Sequence, residues 1–567
     1  LKQYYVCWLW YILFYIIELK IMKKYLLFTI LFLIFSCEKD EIPITPHSMG
    51  EIKTTQINMG NDYSKQVFFN LEKNEVVSEN LKTKWDIAFE ASDTGYNIIL
   101  NSSKFSKVSE ITNMNFLDNI SAQNLDWQWE NPNGINYGTA IGDYTTKNYF
   151  YVVDKNYDCS KVVRPRDHDL LTEIELQNKK KFLWCTFSHD QIDLNFKNPD
   201  VLLEFIRLIL KLSSYGIKIF RLDAVAFIWK QPGTTCLNLS QTHEIIKLLR
   251  DIVDQLDKNL IIVTETNLPK QENLSYFGKN DEAHWIYNFS LPPLIVNTFL
   301  FEDSVALTKW SMKMPPAQLG NAYLNFIASH DGIGMRPAEG ILSDKEIKKM
   351  LQRLKKNGSK FSMRKLSNNE EKVYEANISL FNALQFTDSD LKGKFALKRF
   401  IAAHCIILAI EGVPAFYFNS LFATKNDEET FASTGVKRNL NRYKWHYSTL
   451  VDLIKTNNTI EKNCYEIFKK LISIRKIQPA FHPNATQFTL NLDKNIFAVW
   501  RQSRDRKQSI FALTNVSSKT IKLNTNKINL IDDEQWFDLL SQETKITDDQ
   551  YIKLMPFQSL WITNLKV

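Results

Sequence analysis

The sequence predicts a multidomain protein with an all-β domain near the N-terminus, an α/β domain built on a parallel sheet, and a small C-terminal β domain. The hydrophobic pattern has the period of two that is typical of strands up to about residue 156. It then alternates between helical and strand patterns, and it returns to a period of two after about residue 485. A chain of 567 residues has room for two to four domains. Residues 1–160 carry a net charge of −5 and the remainder +12, which indicates two different pieces.

The composition excludes several classes of protein. With 44% hydrophobic and 23% charged residues, and only 17 Gly and 16 Pro, the chain is neither collagen-like nor disordered. Its basic part has no single Lys/Arg stripe, so we expect no nucleic-acid partner. The seven cysteines lie far apart without metal-type spacing, so we predict neither a disulfide framework nor a metal site. Cys185, Cys236 and Cys405 lie in apolar runs, which predicts free core thiols in a reducing compartment.

Residues 1–49 are predicted to hold upstream read-through, a lipoprotein signal and a tether. Two lysines follow Met22, and an apolar stretch over residues 25–35 leads to Ser36-Cys37. This stretch is shorter than the roughly 20 residues that span a membrane. It resembles a lipoprotein signal, and Glu38–Glu41 resembles the surface-export tag of Bacteroidetes lipoproteins. The resemblance implies lipidation at Cys37, membrane contact through the lipid alone, and export to the cell surface.

Residues 50–156 form the predicted all-β domain. The strings "VFFNLEKNEVV", "WDIAFE" and "GYNIILNSS" are short, rich in aromatic and β-branched residues, and broken by polar residues. In this order they resemble the HmuY-like haem-binding surface lipoproteins of Bacteroidetes, which implies haem as a ligand. The only histidine before residue 160 is His47, in the tether, and Met59 and Met114 are the other candidate ligands. A methionine in a β domain is more often a core residue, so haem capture is the alternative function.

From about residue 157 the pattern is that of alternating helices and strands. An apolar stripe at helical spacing follows Asn198 and ends before Gly216, a glycine placed as a helix C-cap. A strand over residues 217–227 follows, and Ser240 is the candidate N-cap of a helix that runs to about Leu256. Such a series predicts strands buried on both faces, as in a (β/α)8 TIM barrel.

Carboxylates follow the predicted strands at their C-terminal ends. The strands and their acids are 217–222 with Asp223, 260–263 with Glu265, and 323–328 with Asp331. Burying a carboxylate costs several kcal/mol unless it is paired. One of them could merely cap the next helix, but three at one edge indicate an active site at the C-terminal rim of a barrel.

Two carboxylates at close range suit a retaining glycosidase, in which a nucleophile and an acid stand about 5–5.5 Å apart. Arg221 and Asp223 share one face of a strand, so the guanidinium can hold the carboxylate ionised. Glu265 must begin protonated, and negative neighbours raise its pKa as required. Asp331, with His330, is placed to bind sugar hydroxyls and to stabilise oxocarbenium-like charge.

The strings "DQIDLNFKNPDV", "RLDAVAF", "TETN" and "ASHDG" resemble the ordered signatures of the α-amylase superfamily, glycoside hydrolase family 13. The resemblance implies that Asp223 is the nucleophile, Glu265 the acid/base and Asp331 the transition-state stabiliser. Arg221 and His330 are their partners in the same pattern.

Further strings, among them "VVRPR", "FIWKQPGTTC" and "DEAHWIYNFSLPPL", are similar to the sucrose phosphorylase branch. That branch implies glucosyl transfer between sucrose or a related α-glucoside and inorganic phosphate, giving α-glucose 1-phosphate. It also implies no cofactor, small-molecule partners and a cytoplasmic enzyme half, with an α-glucosidase-type hydrolase as an alternative. Arg336 and Arg438 lie in matching loops, as substrate-binding residues or as members of structural salt bridges.

The barrel is predicted to be incomplete. An amylase-type barrel has three strands before the one that ends at Asp223, and the third carries an Asn-His signature. None of the nine histidines follows an asparagine. About 60 residues of this half precede Asp223, where three β/α units need about 90. A fusion or a gene-model error near residues 150–160 explains this, and we predict a chain that is catalytically dead or nearly so.

A helical pattern over residues 461–475 precedes the C-terminal strands, whose domain we expect to be structural. The predicted divisions of the chain are 1–49, 50–156, 157–480 and 481–567.

Overall fold

The computed structural model of the chain describes residues 149–565 with short gaps, and the backbone of five strands nearer the N-terminus. The gaps are residues 167, 177–178, 190, 257–258, 366–370, 529, 531–535 and 542–550. The five strands are β1 (Gln66–Asn70), β2 (Glu75–Val76), β3 (Asp86–Ser92), β4 (Gly95–Asn101) and β5 (Ser109–Glu110). They form an antiparallel sheet in the order β2-β1-β3-β4-β5. The remainder of the predicted N-terminal domain, with Met59 and Met114, and the predicted signal and tether, with Cys37 and His47, lie outside the described residues.

Eighteen further strands are described after residue 149. They are β6 (Val152–Val153), β7 (Leu171–Leu176), β8 (Lys179–Trp184), β9 (Ile219–Leu222), β10 (Ile261–Thr264), β11 (Trp285–Tyr287), β12 (Ala322–Asn325), β13 (Ile333–Gly334), β14 (Lys360–Lys365), β15 (Glu371–Asn377), β16 (Val413–Pro414), β17 (Thr486–Leu490), β18 (Ile496–Gln502), β19 (Ser509–Asn515), β20 (Ile521–Asn524), β21 (Phe537–Asp538), β22 (Tyr551–Leu554) and β23 (Ser559–Thr563).

Eleven α-helices are described in the same part of the chain. They are α1 (Pro199–Ser214), α2 (Ser240–Leu256), α3 (Lys270–Leu274), α4 (Leu291–Phe301), α5 (Val305–Met312), α6 (Asp344–Lys356), α7 (Leu380–Gln385), α8 (Ala396–Ala409), α9 (Glu428–Thr434), α10 (Tyr447–Lys455) and α11 (Ile460–Lys476). Short 3-10 helices join them, including Val225–Phe227 and Lys437–Asn441. None of the described helices is long and apolar enough to cross a membrane.

A parallel sheet of five strands is the frame of the α/β part. Its order is β16-β12-β11-β10-β9, and every neighbouring pair is parallel. The C-terminal ends of parallel strands meet at one edge, so the segments after β9, β10 and β12 come together there. This confirms the predicted α/β architecture with a parallel sheet. Strand β11 was not predicted, since only three residues of a longer mixed segment form it.

Local sequence signals explain where the first helix begins and ends. Asn198 caps α1, because its side chain accepts a hydrogen bond of 3.0 Å from the backbone N–H of Asp200. Pro199 occupies the first turn, where its missing N–H costs nothing. Gly216 follows the helix with a φ of 90°, the left-handed conformation that glycine adopts freely. The predicted helix is confirmed at both ends.

Three local predictions are corrected. Ser240 is the first residue of α2 and not its cap, so the helix begins one residue earlier in the chain than predicted. The strand predicted over residues 217–227 stops at Leu222, because Ala224 takes a left-handed conformation, with a φ of 47°, and a 3-10 helix follows. Burial on both faces holds for β10 but not for β9, where Ile219 is 49% exposed.

The exposure of β9 follows from its place in the sheet. Among the described strands it pairs with β10 alone. Its Phe220 is buried against apolar residues of α1 and α2, whereas Ile217 and Ile219 point to the opposite, uncovered face. One face of this strand is therefore packed and the other is open in the described part of the chain.

The C-terminal strands form the predicted antiparallel β domain. Their main sheet has the order β17-β18-β19-β23-β21, and β20 pairs with β22. Apolar residues of β18, β19 and β23 share one core with α8. Arg501, fully buried, donates to the carbonyls of Ala409, His482 and Ala485 at 2.8–3.2 Å, and so ties this domain to the C-terminal end of α8.

The structure also places the cysteines that were predicted to be core residues. Cys185, Cys236 and Cys405 are buried thiols, and so is Cys464. Burial raises the pKa of the Cys405 thiol to about 12, which keeps it protonated.

Candidate active site

The nucleophile predicted from the sequence lies directly after β9. The carboxylate of Asp223 forms an ion pair with Arg221, Nη1 to Oδ1, at 2.5 Å. Arg221 in turn donates from Nε to the hydroxyl of Tyr287 at 3.0 Å, and its guanidinium carbon lies 5.5 Å from the ring centroid. Burial lowers the pKa of Arg221, but Asp223 and Tyr287 outweigh it and raise that pKa overall. Arg221 therefore stays charged beside Asp223.

Glu265 stands at the end of the neighbouring strand. Its backbone N–H donates to the carbonyl of Leu222 at 3.0 Å, and its Oε2 accepts from the backbone N–H of Ala224 at 2.9 Å. Burial raises the pKa of Glu265 to about 7, Arg221 opposes the shift, and Asp223 adds to it. A carboxylic acid with such a pKa can donate a proton near neutral pH and take it back afterwards.

Asp331, after β12, has the opposite electrostatics. Arg438 Nη1 lies 2.5 Å from its Oδ1, Arg442 Nη2 lies 3.5 Å away, and His330 Nε2 lies 3.7 Å away. Burial raises the pKa of Asp331, but Arg438, His330 and Arg442 outweigh it, and the pKa is lowered overall. The side chain is 29% exposed and stays ionised. Burial lowers the pKa of His330 in spite of Asp331.

A buried carboxylate, Glu375 of β15, holds Arg438 from the other side. Glu375 is 3% exposed and accepts from Arg438 Nη2 at 2.8 Å and Nε at 3.1 Å. It also accepts from the side chain of Asn377 at 2.8 Å and from the backbone N–H of Gly332. A Cβ at Gly332 would lie 2.6 Å from Glu375 Cγ, so only glycine fits after Asp331.

Arg166 is a further cation near the carboxylates. Its guanidinium carbon lies 5.7 Å from the ring centroid of Phe187 and 6.0 Å from that of Tyr374. It contributes to the lowered pKa of Asp331. No carboxylate of the described residues forms an ion pair with it.

Of the seven residues predicted for catalysis and substrate binding, five form ion pairs among themselves, and Glu265 interacts with three of them electrostatically. Asp223 pairs with Arg221, and Asp331 lies beside His330 and Arg438. Besides the effect of burial, Arg221 lowers the pKa of Glu265, whereas Asp223 and Asp331 raise it. Arg336 is the exception, since it begins a 3-10 helix and forms no ion pair within the described part of the chain.

The sequence reasoning missed Tyr287, Arg442, Glu375 and Arg166. Arg442 and Arg438 stand in the same short segment, "TGVKRNLNR" at residues 434–442, and only the fold shows that both reach Asp331. Glu375 carries no local signal, because its partner Arg438 is 63 residues away.

The described residues contain no group of three or more His, Cys, Asp or Glu side chains that could hold a metal ion.

The family model "Alpha amylase, catalytic domain" matches residues 143–338, a segment that contains Asp223, Glu265 and Asp331. The chain is 35% identical over 419 residues to the glucosylglycerate phosphorylase of Escherichia coli (strain K12), covering 73% of each protein. It is 36% identical over 426 residues to the glucosylglycerate phosphorylase of Allomeiothermus silvanus, covering 75% of this chain and 74% of the relative. A sucrose phosphorylase of Agrobacterium vitis is 25% identical over 338 residues, covering 57% of this chain and 64% of the relative.

Among solved structures, the sucrose 6F-phosphate phosphorylase from Thermoanaerobacter thermosaccharolyticum superposes with a TM-score of 0.57 at 19% identity. The match covers 75% of this chain and 79% of that one, and it shows the shared fold. The predicted phosphorylase branch is confirmed, but the identity is higher to glucosylglycerate phosphorylases than to sucrose phosphorylases. None of these matches supports the HmuY-like resemblance, and the family model begins at residue 143, inside the segment 50–156 to which that resemblance was assigned. The chain belongs to glycoside hydrolase family 13, the α-amylase family, in its glucoside phosphorylase branch.

Proposed function

We propose that the α/β part catalyses retaining glucosyl transfer between a glucoside of glycerate and inorganic phosphate, giving α-glucose 1-phosphate. The observation that carries the proposal is the division of states among three carboxylates at one sheet edge. Asp223 is paired with Arg221, Asp331 is held ionised by two arginines, and Glu265 has a pKa of about 7. A nucleophile, a charge stabiliser and a proton donor are the groups that retaining transfer needs. The glucosylglycerate phosphorylases at 35–37% identity support glycerate as the acceptor.

In the first step a carboxylate oxygen of Asp223 forms a bond to the anomeric carbon, and the bond from that carbon to the glycerate oxygen breaks. Glu265 gives its proton to the departing oxygen, so glycerate leaves as the free hydroxy acid. In the second step an oxygen of phosphate attacks the anomeric carbon and the ester to Asp223 breaks. Glu265 takes the proton that the phosphate oxygen loses. Asp331 offsets the positive charge that develops on the sugar in both steps.

Both co-substrates carry negative charge, so the site needs a cation that no carboxylate neutralises. Arg438 and Arg442 are already engaged by Asp331. Arg166 has no carboxylate partner among the described residues and lies over the ring of Tyr374. Because Arg166 also lowers the pKa of Asp331 and so lies near the carboxylates, we assign it, in preference to the predicted Arg336, to an anionic group of the co-substrates. The expected result of Arg166→Met is a rise in the KM for phosphate or for glycerate.

The activity test compares the full chain with a chimera in which the first β/α units of a relative precede residue 157. Each is incubated with glucosylglycerate and phosphate, and separately with sucrose and phosphate, with Asp223→Ala as the blank. We expect the chimera to release glucose 1-phosphate faster from glucosylglycerate than from sucrose. We expect the full chain to stay near its blank, because a poorly held nucleophile loses orders of magnitude in rate. Release of glucose without glucose 1-phosphate would overturn the proposal in favour of a hydrolase.

A further inference from the structure

One buried side-chain amide donates hydrogen bonds to the turn that carries Asp331. Asn441, the last residue of the 3-10 helix Lys437–Asn441, is 4% exposed. Its Nδ2 donates to the carbonyl oxygens of Ser329, His330 and Asp331 at 3.4, 3.1 and 3.1 Å. One NH2 group thus spans three successive peptide carbonyls of the turn.

The same segment makes further contacts to this turn. Arg442 donates from Nε to the carbonyl of His330 at 2.8 Å, and Arg438 pairs with the carboxylate of Asp331. The segment is itself anchored elsewhere, because Leu440 is fully buried and its carbonyl accepts from the backbone N–H of Asp427 at 2.8 Å. Residues 437–442 therefore form a fixed support against which the turn rests.

The orientation of the Asn441 amide is unfavourable for its oxygen atom. Its Oδ1 is buried and has no hydrogen-bond partner among the described residues. A buried acceptor without a hydrogen bond is unfavourable, so the interactions of Oδ1 do not explain this orientation of the amide. The contacts that favour this orientation are those of the nitrogen to the three carbonyls.

We propose that Asn441 is a positioning residue for Asp331, acting through the backbone of residues 329–331. The catalytic meaning of this role rests on the proposed function, in which Asp331 offsets charge on the sugar. A carboxylate must stay within about 0.5 Å of its productive position to do so. The two hydrogens of one NH2 group, shared among three carbonyl oxygens, supply that restraint in addition to the ion pair with Arg438.

The test is Asn441→Asp in the full chain, with hydrogen exchange measured by mass spectrometry on peptides that cover the turn. The amides of Asp331 and Gly332 report directly, since they donate to Ser329 Oγ and to Glu375. At pH 8 the new carboxylate faces the carbonyl oxygens and repels them, so we expect exchange in the turn to be at least about tenfold faster. At low pH the carboxyl is protonated, its O–H can donate again, and protection is expected to return.

Asn439→Asp is the matched control. Asn439 lies in the same 3-10 helix, but its Nδ2 donates at 2.9 Å to the hydroxyl of Thr434 and not to the turn. We expect hydrogen exchange in the turn of Asn439→Asp to match that of the wild type at both pH values, because the new carboxylate faces away from residues 329–331.

Unchanged exchange in Asn441→Asp at pH 8, or faster exchange that does not recover at low pH, would overturn the proposal. The second pattern would indicate packing alone. If that variant does not fold, Asn441→Ala replaces it, with local loss of protection expected at every pH and unaltered exchange overturning the role. Release of glucose 1-phosphate is measured separately on the chimera, so a chimera without activity contradicts the proposed function and leaves the exchange result on the full chain to decide the role of Asn441.

Discussion

The two sides of the site differ in how their carboxylates are supported. On the nucleophile side, defined by β9 with Arg221 and Asp223, the carboxylate has one ion pair and its side chain is 71% exposed. On the stabiliser side, defined by Asp331 with Arg438, Arg442 and Glu375, ion pairs link segments far apart in the chain. Exposed ion pairs are weakened by solvent, whereas buried ones depend strongly on each partner. The stabiliser side is thus preorganised and the nucleophile side is not.

Sheet position accounts for the difference. Strand β12 lies between β11 and β16, and α8 with the C-terminal domain packs behind this half of the sheet. Strand β9 has β10 as its one described neighbour. A side chain at the end of an interior strand has neighbours on both sides to hold it, and one at an edge does not.

The largest effect is expected for Arg438→Met on the stabiliser side. It leaves Asp331 and the buried Glu375 without their shared cation, and we expect the free energy of unfolding to fall by about 3 kcal/mol. Urea denaturation measures it, with the exposed Lys437→Met of the same 3-10 helix as control. A loss equal to that of the control would show that the stabiliser side is no better supported than the nucleophile side.

Glu265 lies between the two sides, and its pKa makes stability depend on pH. The folded chain keeps this proton up to about pH 7, whereas an ordinary glutamic acid loses it near 4.5. The folded state binds more protons between these values, so this group lowers the free energy of unfolding as pH rises through them. Glu265→Gln should therefore be more stable than the wild type at pH 8, by about 2 kcal/mol, and equal at pH 4.

Denaturation at the two pH values measures this difference, and the exposed Glu244→Gln of α2 is the control. Equal stability of Glu265→Gln and the wild type at pH 8 would mean that burial, together with Asp223 and Asp331, does not raise the pKa of Glu265 as the structure indicates.

A smaller effect is expected for Arg221→Met on the nucleophile side. The pair with Asp223 is largely solvated, so the free energy of unfolding should change by less than about 1 kcal/mol. The same denaturation series as for Arg438→Met measures it. A loss as large as that of Arg438→Met would erase the contrast between the two sides.

The smallest effect is expected for Ile219→Lys, which adds a charge to the open face of β9. Because Ile219 is 49% exposed, the change should stay within about 0.5 kcal/mol. Ile262→Lys, at a fully buried position of β10, is the matched variant and should be severely destabilised. A large loss for Ile219→Lys would show that further strands cover β9, against the prediction of an incomplete barrel.

The sequence was informative wherever a signal is local. The cap and stop signals of α1 were found to the residue, and the predicted helix over 461–475 matches α11 within one residue at each end. The acids after three strands were located because charged residues rarely end apolar runs without a reason. Strand β11 was missed, since a strand of three residues is too short for its period to show.

The sequence by itself determined the family, the three carboxylates and their order along the chain, because the motifs that carry them are short strings of contiguous residues. Tertiary structure decided which cations meet Asp331. Arg336 lies five residues away in the chain and pairs with no described carboxylate, whereas Arg442, 111 residues away, reaches it. It also decided that Asp223 is exposed and Asp331 enclosed. Burial and Coulomb interactions depend on distance in space, and distance in space between separate elements is set by how the sheet orders its strands.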